Sequence, residues 1–226
     1  MTAATANLYA AIIFDFDGVL LESEFAGNMQ IADYLTRIGH PTSAEQSMAN
    51  FMGLSGADFL GAIERWIGRT VPDDFHAERE AENERVLRDG IGAVAGAIDF
   101  VRALPAALPR AIASSSSTHW IRTHLDHLGL RDAFEPMIFS GKEHVARGKP
   151  APDLYWHAAQ VLGVPIAECV ILEDSVVGAT AAVASGATVI GLCAGTHCAP
   201  DHADRLRAVG VTHIAHDFDD VARLIA

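Results

Sequence analysis

A chain of 226 residues, half of them apolar, can bury one large domain or a core domain with a small insert. Its formal net charge of −13 excludes nucleic acid and an anionic membrane surface as the main partner. Any phosphorylated ligand must then be drawn by a local positive site, and of sixteen basic residues only Lys142 and Lys149 are lysines.

The first apolar run, residues 10–15, reads as a strand that stops in Asp15-Phe16-Asp17-Gly18. In extended backbone the i, i+2 spacing turns both carboxylates the same way. Two such charges about 4 Å apart repel by about 4 kcal/mol at an effective dielectric near 20. The pair therefore needs a cation, a proton or a catalytic use. An insert follows, residues 22–92, with no convincing strand and amphipathic helices near 24–37, 56–68 and 73–88. It has two readings: a lid that excludes water and selects substrate, or a helical decoration that only packs.

Beyond the insert, apolar runs at 110–114, 137–140, 169–174, 188–192 and 212–215 read as strands. They are interleaved with helical patterns at 97–104, 118–128, 152–162, 175–185 and 217–225. This alternation predicts an α/β fold of βαβ units around a parallel sheet, with strands apolar throughout because both faces are covered. Residues 176–195 carry no charge and raise the question of a membrane span. The break at Ser185-Gly186 divides them instead into a buried helix and a strand. Cys169, Cys193 and Cys198 are too sparse for a disulfide framework, which fits a reducing, cytoplasmic setting. The first basic residue is Arg37, so the apolar start does not read as a secretory signal.

Ligands of open parallel sheets bind at the carboxyl ends of the strands. Those ends carry Asp15 and Asp17, then Ser114 at the head of a serine run, then Glu173-Asp174. Lys149 sits in a Lys-Pro-Ala-Pro-Asp loop just before a helix. Four acids, a serine and one lysine thus converge on one edge of the sheet.

These four segments, in this order and over essentially the whole chain, resemble the haloacid dehalogenase-like superfamily, in its phosphatase branch with a helical cap after the first strand. The resemblance implies a Rossmann-like core of residues 1–21 and 93–226 and an α-helical cap of residues 22–92. It implies Asp15 as nucleophile forming an aspartyl-phosphate and Asp17 as general acid and base. Mg²⁺ would be held by Asp15, the Asp17 carbonyl and Asp174, with Glu173 acting through a metal-bound water. Lys149 would neutralise charge, and the Ser114 hydroxyl with N–H groups at Ser115, Asp17 and Gly18 would hold phosphoryl oxygens. Glu22, in the hinge, and Gly53, in the cap loop, would contact substrate.

Within the superfamily, Asp17 speaks against dehalogenation, where no leaving alcohol needs a proton. A phosphonatase would need a cap lysine, and the insert has none. A β-phosphoglucomutase-like isomerase would carry a histidine where Gly27 stands and an arginine in the cap loop, which reads Phe51-Met52-Gly53-Leu54-Ser55-Gly56. The implied activity is therefore hydrolysis of a small sugar phosphate or sugar-acid phosphate by a monomer, with the mutase and a non-catalytic binding protein as alternatives. Duller roles remain for several residues: Ser115, Ser116 and Ser117 as helix caps, Lys142 as a solvated lysine, and Asp153 as a first-turn helix acid. Cys193, His197, Cys198 and His202 fit no recognised zinc spacing and read as loop packing, with a substrate or metal contact as the alternative.

Overall fold

The computed structural model describes residues 8–52, 54 and 56–226. Six strands, β1 (Ala11–Phe14), β2 (Arg110–Ser114), β3 (Ile138–Ser140), β4 (Cys169–Glu173), β5 (Thr188–Leu192) and β6 (His213–Ala215), form one sheet in the order β3-β2-β1-β4-β5-β6. Every pairing is parallel, and each strand lies where the apolar runs predict it. The order reverses between β1 and β4. Beyond that point one crossover leaves on each side of the sheet, so a crevice opens above these two strand ends.

The sheet is covered on both faces because both faces are apolar. Ala11 and Ile13 point to one side with Ala111, Ala113 and Ile171, against α8 (Asp153–Leu162) and α9 (Val176–Ser185). Ala158, Ala179 and Ala182 at that contact are fully buried, and such small side chains let helix and sheet approach closely. Phe14 points to the other side. Its ring meets Phe100 of α5 (Ala97–Ala103) and Phe134 of α7 (Arg131–Phe134) edge-on at 6.2 and 5.5 Å. Burying one such ring is worth about 1.5–3 kcal/mol, so β1 is anchored from both faces. Among the described residues no helix is long and apolar enough to cross a membrane. The charge-free stretch is divided between α9 and β5.

The chain divides into two compact units, Met1–Glu22 with Gly92–Ala226, and Ser23–Ile91. The second contains α1 (Ser23–Arg37), α2 (Ala44–Phe51), α3 (Gly56–Ile67) and α4 (Phe75–Asp89). Its core is Ile31, Tyr34, Leu35, Phe51, Ile63, Ile67 and Phe75, with the Tyr34 hydroxyl donating to Asp74 at 2.7 Å. In α4 only Phe75 is buried, as its dense charge predicts. Helix α2 escaped the periodicity reading. It is short and buries only Ser47 and Phe51, and its start is set by a reciprocal Ser43–Gln46 capping box.

Candidate active site

Strand β1 delivers Asp15 to the crevice, and the Asp15 N–H extends the ladder one residue by donating to Leu172 O at 2.9 Å. The chain then turns sharply. Gly18 adopts φ +78°, and a Cβ there would lie 2.0 Å from Asp174 Oδ2, so only glycine fits. The Gly18 N–H donates to Leu21 O at 2.7 Å. In this structure the tight return of the chain thus uses that donor internally.

Lys149 is the organising cation. Its Nζ lies 2.7 Å from Asp15 Oδ1 and 2.6 Å from Glu173 Oε1, with 4 % of the side chain exposed. Each contact is worth about 6 kcal/mol of attraction at an effective dielectric near 20. This offsets the cost of burying the ammonium, and Lys149 is held well above the ordinary lysine range against a burial effect that pulls it down. Asp15 is pushed well above the usual carboxylate range by burial; Lys149 opposes the shift, while Glu173, Asp174 and Asp17 add to it.

Glu173 is placed by four donors. Lys149 and the Tyr155 hydroxyl, at 2.8 Å, reach Oε1, while the Ser175 N–H and hydroxyl, at 3.0 and 3.1 Å, reach Oε2. Ser175 also caps α9 by accepting from the Gly178 N–H at 2.9 Å. A Cβ on Gly178 would fall 1.6 Å from Glu173 Oε1. Gly178→Ala is therefore expected to expel the Glu173 carboxylate from its seat and lower turnover at least about tenfold, with the Asp15 contact of Lys149 retained; steady-state kinetics with a crystal structure of the variant checks this.

Asp17 is held from the opposite side. Oδ2 accepts from the hydroxyls of Ser116 at 2.6 Å and Ser114 at 3.3 Å, and Oδ1 accepts from the Trp120 indole at 3.1 Å. Ser117 is the cap of α6 (Thr118–Leu128), accepting from the Trp120 N–H at 3.2 Å. Ser116, read as a cap, instead donates to the second aspartate, while Ser115 lies exposed at the strand end. Behind Trp120 lies His124, fully buried, with ring centroids 4.3 Å apart and no hydrogen-bond partner for either ring nitrogen.

Burial lowers the His124 pKa from 6.5 to about 4. Between those values the unfolded chain binds the proton and the folded one does not. Stability is thus intact above pH 6.5 and falls as pH drops toward 4, by at most about 1.4 kcal/mol per pH unit. His124→Leu is expected to flatten this slope and to stabilise the protein more at pH 5 than at pH 7, read by urea denaturation at both values.

Asp174 is 2 % exposed. Its Oδ2 lies 2.9 Å from His197 Nε2, and its main-chain oxygen lies 2.6 Å from His202 Nε2. Oxygens of Asp15, Glu173 and Asp174 come within 4.8 Å of one another. Three buried acids beside one ammonium leave negative charge uncompensated, and an all-oxygen donor set suits a hard cation such as Mg²⁺.

Glu22, expected to contact substrate, is held by Thr196 in this structure. Its carboxylate accepts from the Thr196 N–H at 3.1 and 3.2 Å and from the Thr196 hydroxyl at 2.8 Å, which ties it to the loop after β5. Gly53 lies outside the described residues. Lys142 is exposed, and Asp153 opens α8 while accepting two hydrogen bonds from Arg147; the duller readings describe both. Ser116, Trp120, Tyr155 and Thr196 are the site neighbours that motif reading missed.

A six-stranded parallel sheet with paired acids and a buried lysine at its switch point defines a class, and comparison with known proteins agrees. The model of the haloacid dehalogenase-like hydrolase family matches residues 9–186. The chain belongs to the haloacid dehalogenase-like hydrolase family. Hexitol phosphatase A of Escherichia coli is 30 % identical over 212 residues, covering 92 % of this chain and 91 % of that one. The 6-phosphogluconate phosphatase of the same organism is 27 % identical over 192 residues, covering 84 % and 85 %. A HAD family hydrolase of Deinococcus radiodurans R1, solved with bound phosphate and sodium, superposes with a TM-score of 0.86 at 33 % identity, covering 96 % and 95 %. The chain is accordingly a phosphoric monoester hydrolase.

Proposed function

We propose that this enzyme hydrolyses a small sugar phosphate or sugar-acid phosphate in two steps at Asp15, with Mg²⁺ as cofactor. The observation that carries the reading is the Lys149 ammonium wedged between Asp15 and Glu173, which holds a buried nucleophile in place and sets a buried cation beside it. The substrate class rests on the relatives named hexitol phosphatase A and 6-phosphogluconate phosphatase.

In this reading Asp15 attacks phosphorus in line and becomes an aspartyl-phosphate. Asp17 protonates the departing alkoxide, then takes the proton of the water that cleaves the acyl phosphate. Ser116 and Trp120 keep its carboxylate aimed for both transfers, and the Ser114 hydroxyl, on Asp17 at 3.3 Å, turns to the phosphoryl group when substrate binds. Ser114 and Ser115 offer donors to phosphoryl oxygens, and Lys149 offsets charge between the two reacting anions. Tyr155, Ser175 and Glu173 act on the reaction by positioning that lysine. The Asp15 and Asp174 carboxylates and the Asp17 main-chain oxygen would hold Mg²⁺, which when bound neutralises charge on the transferring group. The insert of residues 22–92 is assigned substrate selection.

The test is phosphate release from a panel of hexitol phosphates, aldose and ketose phosphates and 6-phosphogluconate, with Mg²⁺ or with EDTA. Turnover of at least one member that EDTA abolishes is the expected result. No release from any member would overturn the proposal. Conversion of β-glucose 1-phosphate plus glucose 1,6-bisphosphate into glucose 6-phosphate faster than phosphate appears would replace it with the mutase.

A further inference from the structure

The loop after β5 and the start of the helix that follows it, His202–Ala208, gather three metal-binding side chains that the phosphatase chemistry does not use. The thiol of Cys198 and one ring nitrogen each of His197 and His202 lie within 4.8 Å of one another. We propose that His197, Cys198 and His202 form a second metal site, selective for a borderline-soft divalent ion of the zinc type and distinct from the all-oxygen site for the hard cation.

One donor spacing already suits a tetrahedral ion. Cys198 Sγ lies 3.6 Å from His197 Nε2. A tetrahedron with a metal–sulfur bond of about 2.3 Å and a metal–nitrogen bond of about 2.0 Å has a sulfur-to-nitrogen edge of about 3.5 Å. The two donors are thus already spaced for one ion.

His202 is prepared in a second way. Its Nε2 sits 2.6 Å from the main-chain oxygen of Asp174. A carbonyl only accepts, so Nε2 carries the proton and Nδ1 of the neutral ring keeps its lone pair. That Nδ1 is buried and makes no hydrogen bond. A histidine that donates one ring N–H to a backbone carbonyl keeps its other nitrogen available as a ligand, the arrangement that orients metal-bound imidazoles.

The backbone supports the same cluster. The Cys198 N–H donates to Gly195 O at 3.0 Å, closing a tight turn. A Cβ at Gly195 would lie 2.4 Å from His197 Cε1 and 2.5 Å from His197 Nδ1, so glycine leaves room for the ring. Both histidines are 4 % exposed, whereas Cys198 is only half-buried and supplies the entry side.

A thiol and two imidazoles favour Zn²⁺ or Co²⁺ over Mg²⁺, which prefers oxygen. Binding replaces the Cys198 thiol proton, which passes to solvent, by the metal–sulfur bond. No electron is transferred. Asp174 joins the two centres, since its carboxylate touches His197 and its main-chain oxygen touches His202. Once His197 Nε2 binds the ion it gives up Asp174 Oδ2. Zinc occupancy is therefore expected to alter the affinity of the neighbouring acids for Mg²⁺.

The experiment uses full-length, reduced, metal-free protein and Co²⁺ as a spectroscopic probe. Titration is expected to produce a thiolate-to-cobalt charge-transfer band in the near ultraviolet that saturates at one equivalent. Equimolar Zn²⁺ should displace it, and a hundredfold excess of Mg²⁺ should not. Cys198→Ser should abolish the band and His202→Gln should weaken Co²⁺ binding at least about tenfold. Cys193→Ser and Asp15→Asn should retain it, which separates the site from the phosphatase centre and makes its failure independent of that assignment. Absence of the band in the wild-type protein, which needs no variant to fold, would overturn the proposal. So would its persistence in Cys198→Ser or its loss in Cys193→Ser.

Discussion

Asp15→Asn is expected to slow phosphate release by about 10⁴-fold or more, the scale seen when a covalent nucleophile is removed. An amide has nearly the shape of the carboxylate but cannot attack phosphorus, so the covalent route closes and does not merely weaken. The variant should nevertheless fold. Lys149 keeps its 2.6 Å contact with Glu173, and the change removes a carboxylate that burial and three neighbouring acids disfavour. The melting temperature without magnesium should therefore match or exceed that of the wild type, while the stabilisation gained on adding Mg²⁺ should shrink because a ligand has gone. Loss of activity with retained stability is the signature. Turnover above a tenth of wild type would place the nucleophile elsewhere.

Lys149→Met has the opposite signature, with both properties failing together. Methionine can keep the apolar stem packed near Tyr155, over whose ring Nζ now lies at 4.9 Å from the centroid. What disappears is the charge. Asp15 and Glu173 are then left buried and facing each other without an ammonium, and breaking a buried pair in this way costs about 3–5 kcal/mol. Turnover should fall by about 10²–10³-fold, as expected when a preorganised charge at the reacting group is lost. Lys149→Arg should not rescue it, since a planar guanidinium is larger and its donors diverge. Urea denaturation and kcat measured on the same samples check both parts. The double variant Asp15→Asn/Lys149→Met should recover part of the lost stability, because one of the two uncompensated buried acids is gone; strict additivity would contradict the pairing.

The sheet and the acids at its edge were legible because the signals are local. Fully buried parallel strands must be apolar from end to end, and acids that interrupt such runs stand out. Position at the strand end then placed Asp15, Ser114 and Glu173 together without knowledge of any contact. The short helices were less visible, α2 because Ser47 and Phe51 are its only buried residues, and α10 (His202–Ala208) because seven residues make too few turns for a periodic face.

Partners set by helix register were missed for another reason. Trp120 reaches Asp17 only because Ser117 fixes where α6 begins, and Tyr155 reaches Glu173 from the first turn of α8. The direction of a hydrogen bond is equally invisible in a string of letters, as the Gly18 N–H and the Glu22 carboxylate show. Which neighbour uses a donor depends on how the backbone turns, within tenths of an ångström.

The scarcity of lysine has a practical consequence for anyone who handles the protein. Of the two side-chain amines in the sequence, Lys142 stands in solvent and Lys149 is sealed between two carboxylates and kept protonated. Acylating dyes and carbamylating reagents attack only the unprotonated amine. Among the side-chain amines they should therefore label position 142 and spare Lys149, so that a fluorophore or a tether can be installed at Lys142 without blocking the buried ammonium.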